Sequence, residues 1–218
     1  MTKTAQDAPI LILGATSGIG KATMKQALAR GHKVRAFARS AHKLDPREGM
    51  EAFKGDARSN EDIAEALKGV RAVVFALGIK ERLGMLWEEE TLFSDATRVL
   101  VEEMPKAGIS RIVAVTGFAA GRSKSAMSAI EKLGFMAIFR KPYEDKDRQE
   151  EMLIASDLDY TIARPTVLTN GAPSPKFKVL REPDTWRMGL VSRQEVAAYL
   201  LDAIEQDLDV RSDVVLTR

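Results

Sequence analysis

No cysteine occurs in the chain, which excludes disulfide staples, thiolate catalysis and cysteine-ligated zinc. Histidine is nearly absent as well, with only His32 and His42. His32 lies in a turn between Gly31 and Lys33 and reads as a surface residue, and His42 sits in a polar loop. No Asp or Glu cluster accompanies them at ligand spacing, so no metal is expected. No apolar run approaches the ~18 residues of a membrane span, and the opening "MTKTAQDAP" lacks the apolar stretch of a signal peptide. The expected setting is therefore cytoplasmic, with no membrane partner. Charge of one sign is also missing: 33 basic residues are interspersed among 31 acidic ones for a net charge of +2. A nucleic-acid partner would require a clustered basic face.

What the chain does have is an ordinary globular balance, 45% hydrophobic and 29% charged over 218 residues. That suits one domain, 1–218, with a core large enough to cover a sheet on both faces. "PILILG" reads as a first strand, and Ile19 to Arg30 as a helix with Ile19, Thr23, Ala27 and Met24, Leu28 at helical spacings. "HKVRAFAR", "MEAFKG", "RAVVFALG" and "SRIVAVTG" follow as strands, with helices expected over Asn60 to Lys68 and Glu88 to Met104. Gly31, Gly69 and Gly108 each close a helical pattern just before a strand. Such alternation predicts an α/β fold, a doubly wound, mostly parallel sheet with helices on both faces.

The second half is less regular. Gly117 to Lys141 is expected as a loop and a short helix above the sheet, and Glu144 to Ser156 as a helix with Met152 and Leu153 toward the core. "LDYTIARP" reads as a sixth strand ended by Pro165, "GAPSPKFKVLREPDTWR" as an irregular segment. Ser192 with Glu195 forms a capping-box pattern ahead of a helix to Gln206, and "DVVLT" is a last strand. Segments 117–141 and 169–191 are thus expected on the substrate side.

"GATSGIG" stands between the first strand and the first helix. A dinucleotide needs its pyrophosphate close to free backbone N–H groups at a helix start. Gly14 permits the tight turn, Gly18 the approach of backbone to phosphate, and Gly20 close packing of helix on sheet. Thr16 and Ser17 add hydroxyl donors. An NAD site usually carries Asp or Glu at the end of the second strand, whereas here stand Ala38, Arg39 and Ser40. Arg39 offers a planar fork of donors to a 2′-phosphate, favouring NADP over NAD; the alternative is an ordinary surface arginine. Asp56, after the third strand, either accepts from the adenine amino group or caps a turn. Ala76 to Gly78 brings small residues over the cofactor.

These residues resemble the short-chain dehydrogenase/reductase superfamily, in particular its atypical NAD(P)H-binding branch of biliverdin reductase B-like flavin reductases and NmrA-like proteins. The resemblance covers nearly the whole chain and rests on "GATSGIG", "FKGDARSNEDIAEALKGVRAVVFALG", "EEMLIASDLDYTIARPTVLTNG" and "SRQEVAAYLLDAIE". It implies a Rossmann fold and places Gly14, Thr16, Ser17, Gly18, Ile19 and Gly20 on the pyrophosphate loop. Arg39 and Ser40 fall at the 2′-phosphate, Asp56 and Ala57 beside adenine, and Ala76, Leu77 and Gly78 beside the adenosine ribose. Pro165, Thr166, Val167 and Leu168 fall on the loop passing the nicotinamide. Thr116 takes the place of a catalytic or substrate-orienting Ser or Thr, and Lys146 that of a lysine on the nicotinamide ribose.

The superfamily's usual acid is a tyrosine with a lysine four residues later, which lowers the phenol's pKa. Here Tyr143 is followed at that spacing by Asp147, Tyr160 by Arg164 and Tyr199 by Ala203. Tyr143 and Lys146 are only three apart, so Tyr143 is either a displaced acid or a structural aromatic, and Lys146 a cofactor contact or a solvated helix charge. Hydride transfer to a stacked conjugated acceptor depends less on such an acid. The expected function is NADPH-dependent reduction of a flavin, quinone or similar small molecule. The alternatives are a carbonyl or sugar oxidoreductase or epimerase using Thr116 and Tyr143, and a non-catalytic NADP-binding sensor. Phe118, Met127, Phe135, Met136 and Phe139, with Trp87 and Trp186, either line an apolar slot for the acceptor or belong to the core. A homodimer through an edge helix is allowed, and nothing in the sequence selects it.

Overall fold

Ile10–Leu13 (β1) is apolar at every position and buried throughout, the composition of a central strand covered on both faces. A computed structural model describes residues 7–78 and 91–218, side chains of 129–139 excepted. Among them β1 pairs in parallel with Val34–Phe37 (β2) on one side and Ala72–Phe75 (β4) on the other. Met50–Phe53 (β3) extends the sheet beyond β2, and Arg111–Val115 (β5) and Asp159–Pro165 (β6) extend it beyond β4. Ser212–Thr217 (β10) adds in parallel to β6, and Lys178–Leu180 (β8) runs antiparallel at the far edge. The order β3-β2-β1-β4-β5-β6-β10-β8 reverses direction at β1 and β4, and a crevice opens outside the strand ends at such a switch point. This is the doubly wound Rossmann architecture, in one domain.

Alternation along the strands divides the core. Leu11, Leu13, Val73 and Phe75 pack with Ile63, Leu100, Met104 and Leu153 on one face. These come from the helices Asn60–Leu67 (α2), Leu92–Lys106 (α3) and Ala129–Ala155 (α4). Ile10, Ile12, Ala72 and Val74 pack on the other face with Met24, Ala27, Val196 and Leu200, from Gly18–Ala29 (α1) and Arg193–Glu205 (α5). The expected capping box starts α5: Glu195 N–H donates to Ser192 Oγ at 3.1 Å and Ser192 N–H to Glu195 Oε2 at 2.7 Å. Gly31, Gly69 and Gly108 all have positive φ, as helix closure by a left-handed residue requires.

Several expectations are corrected. The short helix foreseen within 117–141 is the first half of α4, which continues through Pro142 to Ala155; Pro142 loses one backbone hydrogen bond without ending the helix. Helix α3 starts at Leu92 rather than Glu88, with Thr91 as its N-cap and the Phe93 N–H donating to the buried Asp145 carboxylate at 2.8 Å; residues 88–90 lie outside the described residues. Within 165–168, Val167 and Leu168 belong to a strand, Val167–Thr169 (β7), paired in parallel with Leu190–Ser192 (β9). His32 is more than a surface residue: its Nε2 lies 2.6 Å from Glu205 Oε1 and ties the end of α1 to α5.

Candidate cofactor and active site

The glycines of "GATSGIG" have separate physical reasons. Gly14 has φ +85°, and a Cβ there would overlap the Ala76 carbonyl oxygen at the end of β4. A Cβ on Gly20 would overlap the Gly14 carbonyl, so this glycine sets how closely α1 meets the loop. Gly18, at φ +55°, meets nothing within 4 Å. It faces open space at a helix start where Ser17 makes no side-chain capping bond and no acidic residue occupies the first turn. Uncapped N–H groups, the positive end of the helix dipole and a bare Cα are what an anion needs.

Beside this loop a cleft of ≈ 650 Å³ is lined by Gly14, Thr16, Ser17, Ala38, Arg39, Ser40, Asp56, Ala57, Leu77 and Gly78. Nine of the sequence-predicted positions, with Ala38 between them, thus come together at the strand ends. Phe37, Gly55, Arg58 and Leu92 also line it, and sequence reading missed them. Phe37 stacks on Phe53 with ring centroids 5.6 Å apart, and a Cβ on Gly55 would press into the Phe37 ring. Arg39 is exposed and makes no hydrogen bond or salt bridge among the described residues. Asp56 is engaged otherwise than expected: Oδ1 accepts from the Arg58 N–H at 3.0 Å, and Oδ2 pairs with Arg58 Nη2 at 2.9 Å. Arg58, and more weakly Arg39, hold its carboxyl below the usual range. The turn-cap alternative therefore describes its side chain, and the Asp-x-Arg spacing is the signal that was available. The cradle fits a dinucleotide on backbone grounds, with two arginines at its outer end.

Toward β5 and β6 the character changes. Thr116, just past β5, is buried and donates its hydroxyl to Glu150 Oε1 at 2.6 Å. Glu150 on α4 accepts from Arg164 Nε at 3.0 Å and Nη2 at 2.6 Å. Arg164 also pairs with Asp213 on β10, and Arg122 pairs with the same Asp213. The Arg164 and Glu150 side chains are only 1% and 2% exposed. Both guanidinium groups lie over the Trp186 ring, at 5.1 Å for Arg122 and 5.2 Å for Arg164. Sequence reading missed this cluster, whose members are far apart in the chain.

Tyr143 and Lys146 do share a face of α4, with Lys146 Nζ 5.1 Å from the Tyr143 ring centroid. Lys146 donates to the Thr116 carbonyl and lies 5.0 Å from the Phe93 ring. Burial pulls its pKa down to about 8 against the pull of Glu150 and Asp145. The Tyr143 hydroxyl packs so closely on Gly117 that a Cβ there would overlap it. Burial, and then the charge of Glu150, push the phenol up to about 12, the opposite of an activated acid. Of slot and core, the core describes Phe118, Met127 and Trp186, which are buried together with Val215, and the Trp186 N–H donates to the Leu180 carbonyl at 3.1 Å. Trp87 and the side chains of Phe135, Met136 and Phe139 lie outside the described residues.

A family model described as NAD(P)H-binding matches residues 14–207. The chain belongs to this NAD(P)H-binding family. Among relatives, an uncharacterised chloroplastic protein of Arabidopsis thaliana is 27% identical over 208 residues, 91% of this chain and 72% of that one. The chloroplastic protein TIC 62 of Pisum sativum is 27% identical over 90% of this chain, which spans only 40% of it. Among solved structures, ChuY, an anaerobilin reductase from Escherichia coli O157:H7, is 29% identical with a TM-score of 0.79, covering 96% of both chains. A short-chain dehydrogenase/reductase of Veillonella parvula DSM 2008, solved in complex with NADP, is 19% identical with a TM-score of 0.76 over 97% of this chain and 94% of that one, which shows the shared fold. The ligand of the family is NAD(P)H. Among the described residues no helix is long and apolar enough to cross a membrane.

Proposed function

We propose that the protein is an NADPH-dependent oxidoreductase that reduces a small conjugated acceptor such as a flavin or quinone. In this reading Gly14, Thr16, Ser17, Gly18, Ile19 and Gly20 hold the pyrophosphate, and Arg39 and Ser40 bind the 2′-phosphate, with Arg58 as a second cation on that side. Asp56 and Ala57 flank the adenine, and Ala76 to Gly78 the adenosine ribose. Pro165 to Leu168 border the nicotinamide. Thr116 shapes the acceptor side while its hydroxyl is held by Glu150, and Lys146 fixes the backbone at Thr116 from below. NADPH held there would supply a hydride to the acceptor, whose matching proton would come from water.

The observation that carries the choice of acceptor is Tyr143. A carbonyl reductase needs a group that gives up a proton in the transition state, best with a pKa near the working pH. A phenol pushed up to about 12 and packed on Gly117 is poorly suited to that. A conjugated acceptor spreads the charge that hydride brings, so orientation over the cofactor matters more than a local acid. The ChuY likeness supports a reductase reading, since its name is that of a reductase.

The test is NADPH and NADH oxidation followed by absorbance with flavins, quinones and small aldehydes as acceptors. Flavin or quinone reduction that survives Tyr143→Phe is the expected result. Aldehyde reduction lost in that variant would transfer the assignment to the carbonyl class, and tight NADPH binding without turnover on any acceptor would transfer it to a sensor.

A further inference from the structure

A second groove, ≈ 690 Å³, runs along the other side of the first helix, between α1 and the start of α5. Its lining is Gly18, Lys21, Ala22, Lys25, Gln26, Ala29, Asn170, Arg193 and Gln194: three cations, three amides and no carboxylate. In a chain whose charges are otherwise mixed this is unusual. The acids nearest to it along the chain are occupied elsewhere. Glu195 is buried, with Ser192 and Arg218 as partners, and Asp202 and Glu205 pair with Arg30, the residue after Ala29 at the far end of the groove. Lys21 and Lys25 are exposed and make no salt bridge among the described residues, and Arg193 donates only to Asn170 Oδ1, at 2.8 Å.

The groove begins where the dinucleotide cleft ends, since Ser17 lines the cleft and Gly18 the groove. It is also tied to the strand pair bordering the proposed nicotinamide position. β7 and β9 start with Val167 and Leu190, register partners that are each 51% exposed. They end one residue before Asn170 and Arg193 respectively. Three residues of strand span about 10 Å, so an exposed apolar pair and a cationic groove lie one small molecule's length apart.

We infer that Lys21, Lys25 and Arg193 form a subsite for an acid group carried by the acceptor, whose conjugated body lies against Val167 and Leu190. The proposal rests on the reductase reading and narrows it to anionic acceptors. Neutralising an acid group by two or three partly solvated cations contributes a charge-assisted interaction whose strength falls with salt.

Two acceptor pairs test it, FMN against riboflavin and a naphthoquinone sulfonate against menadione, each pair sharing a ring system and differing in an anionic group. Affinities are measured by equilibrium titration onto the NADP+ complex, so binding is scored whether or not turnover occurs. The anionic member of at least one pair is expected to bind about tenfold more tightly at low salt. In the double variant Lys21→Gln/Lys25→Gln that ratio should fall to within about twofold, with NADPH affinity unchanged. FMN alone responding would identify a phosphate site, and both pairs responding a general anion site. No preference in either pair, or one that survives the double variant, overturns the proposal. A loss of NADPH affinity in the variant also overturns it, by giving the groove to the cofactor. Failure of the reductase reading appears separately, as absence of NADPH oxidation with every acceptor.

Discussion

At the β1–β3 end of the strand edge the cleft is built from backbone: three glycines, an uncapped helix start and Arg39 reaching out with no salt bridge among the described residues. Beside β5 and β6 the same edge is built from side chains, with Thr116, Glu150, Arg164 and Asp213 buried against one another. The first region leaves the helix start without a side-chain cap, as the proposed anion site requires, and the second satisfies its donors internally. The same strand edge therefore holds a part made to bind and a part made to stay rigid, and substitutions should separate them.

The largest effect is expected on the rigid side. Arg164→Met removes the cation between two carboxylates and leaves Glu150 and Asp213 buried with too little positive charge. Breaking a buried pair from one side costs about 3–5 kcal/mol, enough to consume much of the stability of a domain this size. Urea denaturation should show the midpoint collapsing, and a midpoint unchanged within error would mean that the cluster is hydrated in solution.

Two alanine substitutions in the glycine loop should then divide fold from ligand. Gly14→Ala meets both a positive φ and the Ala76 carbonyl, so it should lose stability by about 1–3 kcal/mol from backbone strain alone. Gly18→Ala has open space around it, and its left-handed backbone costs about 1–2 kcal/mol. Its methyl group would stand in the proposed path of the phosphate, so NADPH affinity should drop by more than its stability loss explains. Equal affinity for NADPH in Gly18→Ala and wild type, by fluorescence titration, would remove the phosphate from that place.

The contrast also explains what could be read from the sequence. The glycine loop was legible because each glycine answers a local backbone requirement, and so was the Ser192–Glu195 box, complete within four residues. Arg39's place at the cleft was legible from its position just past β2. The cluster of Arg122, Glu150, Arg164 and Asp213 was not, because four segments supply it and no spacing announces it. Arg164 entered the sequence reading only as a non-lysine four residues after Tyr160. Trp186, Phe118 and Met127 stayed open between slot and core for a related reason: an apolar side chain near a site has the same composition whether it lines a slot or, as here, fills a core under two arginines. Asp56 was placed at the cleft, yet its partner Arg58 was overlooked.

On the binding side the next effect is smaller. Arg39→Ala should weaken NADPH by about ten- to hundredfold, as expected for loss of a charge-assisted contact, and leave NADH within about twofold. Equal weakening of both cofactors would show that Arg39 stacks on adenine instead of reading the 2′-phosphate.

The smallest effect lies where the two regions meet, at Lys146 under Thr116. Its folded pKa is about 8 against an ordinary 10.5. Below pH 8 both states hold the proton and this lysine adds nothing to the pH dependence. Between pH 8 and 10.5 the unfolded chain binds more protons than the folded one, so stability rises with pH. Tyr143 acts oppositely, since its phenol ionises near 10.0 when unfolded and near 12 when folded, so the stability it contributes is lost as pH climbs above 10. Tyr199, raised by burial and by its hydrogen bond to Asp209, adds to that loss. The window that isolates Lys146 is therefore pH 8 to 10, where wild type should gain stability on the order of 1–2 kcal/mol relative to Lys146→Met. A methionine of similar length keeps the contacts with Phe93 and Tyr143 while removing the titration. Parallel stability curves for the two proteins across that window would mean that Lys146 is solvated, and that the rigid side of the edge ends at Glu150.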